Sequence, residues 1–228
     1  MDSWQNDQEL FSLIRDELFT AVIGDVLDAA GYTTQFLPPQ IKPLQDDMVI
    51  VGRALPVLEA DCLGDTVGHL GSQQPFGLML RALDDLKTDE VYICTGASPT
   101  YALWGELMST RAMHLRAAGA VLDGYSRDTH GILRVKFPTF SWGKYAQDQR
   151  LRGRVIDFRC SIQFSNGVRV HPGDLIFGDI DGVLVVPHQY ESEAVHAALE
   201  KVRGENKVRA AIEQGLSTTE AFEKYGIM

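Results

Sequence analysis

Two short apolar runs, VYICTG (91–96) and AVLDG (120–124), flank a stretch with helical periodicity, and this alternation limits the folds open to the chain. Runs of that length with no polar face read as buried strands. The segment between them, from Glu106 to about Ala118, reads as a helix with an inward stripe of Met108, Ala112 and Leu115 and with Gly119 as its cap. Strand, helix and strand in succession define an α/β fold. The Gly- and Pro-punctuated GASPTYALWG (96–105) is the loop that leads into the helix.

The flanking segments extend the pattern. Leu10, Leu13, Ile14, Leu18 and Val22 recur at threes and fours, which predicts helix over 7–30, with Gly24 as a candidate division and Gly31 as the stop. Prolines make FLPPQIKPL (36–44) a connector. MVIVGRALPVL (48–58) predicts a strand with Gly52 as a candidate bulge, and 75–86 a helix that ends in the turn DDLKTDE. Asn166-Gly167 joins RVIDFRCSIQF (154–164) to VRVHPGDLIF as a hairpin. GDIDG (178–182) predicts a second hairpin turn, since it lacks the alternating acids and distal Glu of a calcium loop. Residues 189–214 predict a long helix with the stripe Val195, Leu199 and Val202, and STTE (217–220) spells a capping box for a last short helix. No repeat or linker interrupts the 228 residues, so one α/β domain over 1–228 is expected, rich in antiparallel hairpins in its second half.

Composition narrows the function. Acidic residues number 31 against 21 basic ones, for a formal net charge of −10, and no Lys/Arg-rich run occurs. This argues against a nucleic-acid surface, though a basic protein partner would suit it. Cys62, Cys94 and Cys160 form no CxxC, and their odd number argues against a disulfide framework; Cys94 and Cys160 read as small core residues. The opening MDSWQNDQEL is too polar for a signal peptide, and no apolar stretch approaches the roughly 18 residues of a membrane span. A reduced, soluble, cytoplasmic protein is expected, with no membrane partner. HExxH, GxSxG and Walker-type loops are absent, as is a glycine-rich methyltransferase loop, and the histidines show no ligand spacing.

DGYSRD (123–128) leaves a strand and at once presents Asp123, Arg127 and Asp128. A turn accounts for Asp and Gly, and Arg and Asp suit solvent. WGEL (104–107) opens the preceding helix, however, and twenty residues lie between Glu106 and Arg127. About thirteen helical residues rise ~20 Å, and five strand residues plus a turn return ~17 Å. Glu106, Arg127 and Asp128 can therefore share one pocket with the free N–H groups around Leu107 and Met108, which Gly105 lets a ligand approach. Two carboxylates without clustered His or Cys suit a hard divalent cation such as Mg²⁺ or Mn²⁺. Arginine and helix N–H groups suit a carboxylate and a developing enolate oxygen. Together they suit a 2-oxo acid substrate, with C–C cleavage to a metal-stabilised pyruvate enolate.

The run ALWGELMSTRAMHLRAAGAVLDGYSRD (102–128) closely resembles the class II aldolases acting on 4-hydroxy-4-methyl-2-oxoglutarate and 4-carboxy-4-hydroxy-2-oxoadipate. These share a superfamily with the regulator of ribonuclease activity A. Its signature, an acid, twenty residues and Arg-Asp, is met by Glu106 and Arg127-Asp128. FTAVIGDVLDAAG (19–31), VIVGRALPV (49–57), VRVHPGDLIFGDIDGVLVVP (168–187) and EAFEKYGIM (220–228) resemble the same family, so the likeness covers nearly the whole chain.

The resemblance implies a swivelling β/β/α domain with a mixed sheet, antiparallel hairpins and outer helices. It also implies homotrimers, or hexamers as dimers of trimers, with sites between subunits. By the same resemblance Asp128 binds the metal, Glu106 holds a metal-bound water, and Arg127 binds substrate oxygens and steadies the enolate. The backbone of Gly105, Leu107 and Met108 receives the substrate carboxylate. A glutamate of the C-terminal region reaches the neighbouring subunit's site, and Glu205 is the best match, with Glu200 next. Oxaloacetate decarboxylation is an expected companion, since it passes through the same enolate. One position departs: where the aldolases carry a further acid, three residues after the Asp, this chain has Gly131, next to His130. The ribonuclease regulator binds a protein partner without chemistry and lacks the acid at the position of Glu106, so Glu106 favours an enzyme.

Overall fold

Two helices open the computed structural model, which describes residues 4–62 and 75–226: α1 (Asp7–Glu17) and α2 (Thr20–Ala29). Asn6 caps α1, its side-chain oxygen accepting from the Glu9 N–H at 3.0 Å. The division falls at Leu18 and Phe19, both extended, and not at Gly24. The backbone N–H and hydroxyl of Thr20 each donate to Asp179 at 2.8 Å, which fixes where α2 begins. Gly24 instead lies inside α2 because the Phe36 ring occupies the space of a side chain, with Cε2 2.4 Å from where a Cβ would sit. Gly31, at φ 88°, follows the end of α2 as expected.

The remaining elements are β1 (Lys42–Pro43), β2 (Ile50–Asp61), α3 (Met79–Asp84), β3 (Glu90–Thr95), β4 (Ala102–Trp104), α4 (Glu106–His114), β5 (Gly119–Leu122), β6 (Tyr125–Ser126) and α5 (Thr129–Val135). They continue with β7 (Thr139–Ser141), β8 (Gly153–Phe158), β9 (Ile162–Gln163), β10 (Arg169–Val170), β11 (Leu175–Asp179), β12 (Gly182–Val186), α6 (Glu191–Glu213) and α7 (Thr218–Tyr225). The main sheet runs β1-β7-β5-β3-β2-β11-β12, and β8 pairs with the far end of β2. β2, β3, β5 and β7 are parallel, whereas β1, β8, β11 and β12 run antiparallel to their neighbours. Residues 35–37 hydrogen-bond to the free edge of β12 through Leu37 N–H to Val183 O (2.9 Å) and Val185 N–H to Gln35 O (3.0 Å). These bonds bring the chain entering β1 against the opposite edge, so the mixed sheet nearly closes.

Alternation along the strands sorts the core into two sides. Ile50, Ala54, Ile93, Val121, Ile176 and Val185 point into the curled sheet, where Ile162, Phe164, Val168 and Val170 of the β9–β10 hairpin fill it. The opposite face is covered by helices. Leu55, Val57, Tyr92, Cys94 and Leu122 pack under α3 and α4, and Val51, Leu175, Phe177 and Leu184 under α1, α2 and α6. Both expected hairpins form, as does the capping box at Ser217, where Glu220 N–H donates to the hydroxyl at 3.3 Å. No helix among the described residues is long and apolar enough to cross a membrane.

Several boundaries differ from the sequence expectations for steric reasons. Gly52 makes no bulge; it pairs squarely with Ile176, and a Cβ on it would lie 2.3 Å from the Asp89 carbonyl oxygen. The irregularity in β2 comes later, between Leu58 and Glu59. The helix expected over 75–86 is confined to Met79–Asp84. α4 ends at His114, because Arg116 turns left-handed at φ 61° and the Ala117 N–H returns to Ala112 O. Gly119 is accordingly no cap; it opens β5, where a Cβ would meet Ile50 Cδ1 at 2.3 Å. The strand expected over 154–164 is split by Arg159, at φ 55°, and Cys160 there is only partly buried.

Candidate active site

The parallel strands β3 and β5 end side by side at Thr95 and Leu122, and the chain beyond their carboxyl ends builds a cavity of about 410 Å³. Ligands of open α/β sheets bind at such ends. β4 and β6, which follow β3 and β5, form a small parallel ladder detached from the main sheet, with Ala102 opposite Tyr125 and Trp104 opposite Ser126. The Arg127 N–H continues it, donating to Trp104 O at 2.9 Å. This ladder places the N-terminus of α4 directly beside Arg127 and Asp128.

Trp104 anchors the corner. Its ring lies between Tyr92 and Phe137, with centroids 4.9 and 5.8 Å away. Its indole N–H donates to the Ser109 hydroxyl (2.7 Å), which in turn donates to Gly105 O (3.1 Å). Gly105 caps α4 without a side-chain hydrogen bond, so first-turn N–H groups remain available to a ligand. A side chain at 105 would intrude, because a Cβ there would lie 2.7 Å from Asp128 Oδ2.

DGYSRD divides into two roles. Asp123 is buried at the end of β5 and accepts from the Thr95 hydroxyl at 2.6 Å, tying the two strand ends together; burial pushes its carboxyl up. Arg127 and Asp128 line the cavity, each partly exposed. The Arg127 guanidinium places Nη1 2.8 Å from Asp148 Oδ1 and Nε 3.6 Å from Asp128 Oδ2. Asp128 holds a left-handed backbone, φ 54°, at the N-cap of α5.

Of the residues singled out from sequence, Gly105, Leu107, Met108, Arg127 and Asp128 come together around this cavity. Glu106 turns away from it, lies over Gly131 and ion-pairs with Arg134 of α5. His130 is exposed and does not line the cavity. Glu205 sits on α6, in the helical layer with α1 and α2, where it pairs with Lys201 at 3.9 Å; Glu200 on the same helix is exposed. Neither glutamate reaches the cavity of its own chain. Among the described residues no three His, Cys, Asp or Glu side chains gather as a metal cage.

Asp148 and Gln149 are among the cavity residues that escape sequence reasoning. They lie in an aperiodic loop, held against β4 by the Ala102 N–H bond to Gln147 O at 2.9 Å. Beneath them Glu59 is fully buried, and its carboxyl accepts from Gln149 Nε2 at 2.8 Å. Burial pushes that carboxyl up to about 8. A signal for it exists in the sequence, since Glu59 continues the inward parity of Leu55 and Val57 with an acid.

Residues 20–185 match the family model described as RraA-like, Aldolase/RraA. Protein DlpA of Legionella pneumophila is 29% identical over 90% of this chain; the match spans only 32% of that longer protein. A Halalkalibacterium halodurans protein named "Putative 4-hydroxy-4-methyl-2-oxoglutarate aldolase" is 29% identical over 89% of both chains. The crystal structure of Streptomyces coelicolor RraAS2, described as an unusual member of the RNase ES inhibitor RraA family, superposes with a TM-score of 0.78. It covers 91% of this chain and all of that one at 20% identity, a likeness of fold.

Proposed function

Given that the chain belongs to the RraA-like family, Aldolase/RraA, we propose that it is a divalent-metal-dependent carbon–carbon lyase that cleaves a 4-hydroxy-2-oxo acid to pyruvate. The observation that carries this reading is the convergence of Arg127, Asp128 and the uncapped N-terminus of α4 on one cavity. Oxaloacetate decarboxylation is a proposed companion activity, because it yields the same enolate.

The donor set fits a hydrated Mg²⁺ or Mn²⁺. It offers carboxylate oxygens and no thiolate or imidazole, and the missing side chain at Gly105 leaves space against Asp128 Oδ2. Asp128 would hold the cation directly and Glu106, after swinging from Arg134, through water. A divalent cation there supplies Lewis-acid polarisation of the 2-oxo acid.

This chain's own groups supply the rest. The first-turn N–H groups of α4 receive the substrate carboxylate. Arg127, oriented by Asp148, directs N–H donors at the oxygen that becomes the enolate oxygen and lowers the barrier to cleavage. In an assembled trimer or hexamer, Glu205 of a neighbouring copy is proposed to complete the site. The site as described leaves room for such a residue, because Arg127 and Asp128 remain partly exposed.

The alternative, a regulator of ribonuclease activity acting through a protein partner, is favoured by the fold and opposed by Glu106 at the helix start. Pyruvate release from 4-hydroxy-2-oxo acids and oxaloacetate, with and without Mg²⁺ or Mn²⁺, tests the reading. Turnover that vanishes on chelation is expected. Turnover that survives chelation but is lost to borohydride with substrate indicates a lysine imine and rejects it.

A further inference from the structure

We propose that this cavity selects 2-oxo acids carrying one carboxylate and an apolar tail, in preference to those with a second carboxylate at the far end; the inference rests on the 2-oxo acid reading above.

The cavity has two unlike ends. Arg127, Asp128, Asp148 and the start of α4 form the polar one. The other is walled by the side chains of Phe76, Met79, Leu80 and Leu83, from α3 and the turn before it, together with those of Leu107 and Met108, whose backbone N–H groups belong to the polar end. Leu80 is 56% exposed and Leu107 83% exposed, so two leucines stand in water at the mouth. A hydrocarbon tail laid between them removes that surface from water, as well as its own.

Charge accounting points the same way. Among the described residues that line the cavity there are two cations, Arg127 and Arg111, against Asp84, Asp128 and Asp148. Arg127 is held by Asp148 at the polar end, where the shared 2-oxo carboxylate binds. Arg111, at the apolar end, places Nε 2.8 Å from Asp84 Oδ1 and is already matched. A distal carboxylate would lie among leucines, beside Asp84, where Arg111 is already paired with that acid.

Magnitudes favour a measurable preference. Each methylene buried in the apolar end is expected to tighten binding about fourfold. The test is titration calorimetry on the wild-type protein with Mg²⁺ present, using pyruvate, 2-oxobutyrate, 2-oxopentanoate, 2-oxoglutarate and 2-oxoadipate. Affinity is expected to climb from pyruvate to 2-oxopentanoate, and 2-oxoglutarate to bind at least tenfold more weakly than 2-oxopentanoate. Leu80→Arg, at an exposed helical position, should narrow or reverse that gap. Equal or tighter binding of 2-oxoglutarate by the wild type overturns the inference and leaves the lyase reading standing. If no 2-oxo acid binds, pyruvate included, the inference falls together with the function on which it rests.

Discussion

Gly131 lies directly beneath Glu106: a Cβ on it would be 2.3 Å from the Glu106 Cδ atom. The resembled aldolases carry an acid at the position of Gly131, so here the Glu106 side chain takes up space that such an acid would fill. Gly131→Ala should push Glu106 off Arg134 and out of its present rotamer. The obstructed group is the end of a flexible side chain, and alanine improves helix propensity by about 0.5–1 kcal/mol. Stability should therefore change by less than about 1 kcal/mol, while turnover holds or rises, because Glu106 must leave Arg134 to hold a metal-bound water in the proposed reaction. Unfolding midpoints measured alongside kcat check the pair of effects.

Arg127 and Asp128 should fail differently. Arg127→Lys keeps the charge but loses the planar fork that pairs with Asp148 and, in the proposed reaction, would reach substrate. Its kcat should fall by about 10²–10³, as for loss of an oxyanion donor. Asp128→Asn tolerates the same backbone and should abolish metal-supported turnover with an unchanged melting curve. Near wild-type activity in both variants would remove the site from consideration.

Glu59 predicts a pH dependence of stability. Its folded carboxyl, near 8, is raised above the ordinary 4.5, so between those values the folded state keeps a proton that the unfolded state has released. Stability attributable to this group is full below about pH 4.5 and is lost as pH rises toward 8. The limiting slope is about 1.4 kcal/mol per pH unit. Glu59→Gln keeps an amide facing Gln149 and removes the titration. Its urea midpoint should gain on the wild type steadily from pH 5 to 8, and parallel pH profiles would show that Glu59 does not titrate this way.

Assembly is the fourth expectation. Sedimentation should give a trimer or hexamer, and mixing inactive Asp128→Asn chains with inactive Glu205→Gln chains should restore part of the activity through hybrid sites. A trimer without complementation keeps the assembly and dismisses Glu205. A fully active monomer dismisses both.

Local signals in the sequence reach as far as local causes. The βα succession, the Asn166-Gly167 hairpin and the Ser217 box are legible because each depends on residues within a few positions of one another. Arg127 and Asp128 are legible as cavity neighbours of the α4 start through motif spacing. The division of the first two helices was not, because it is set by Asp179, far along the chain, and by Phe36 lying on Gly24. Gly52 and Gly119 look like a bulge and a cap until Asp89 and Ile50 are seen to crowd them. Asp148 and Gln149 carry no periodicity, and only the bond from Ala102 to Gln147 brings their loop to the cavity.

The left-handed backbone of Asp128 restricts how this corner can change over generations. Glycine, asparagine and aspartate accept such a conformation readily, whereas glutamate and alanine incur roughly 1 kcal/mol or more. A lineage that swaps Asp128 for Asn or Gly sheds the charge with little disturbance to folding. One that tries to keep an acid by moving to Glu strains the turn and shifts the carboxylate as well. Losing the proposed chemistry would thus be conformationally silent and retaining it narrowly constrained, an asymmetry that would make descent from catalyst to binding protein easier than the reverse.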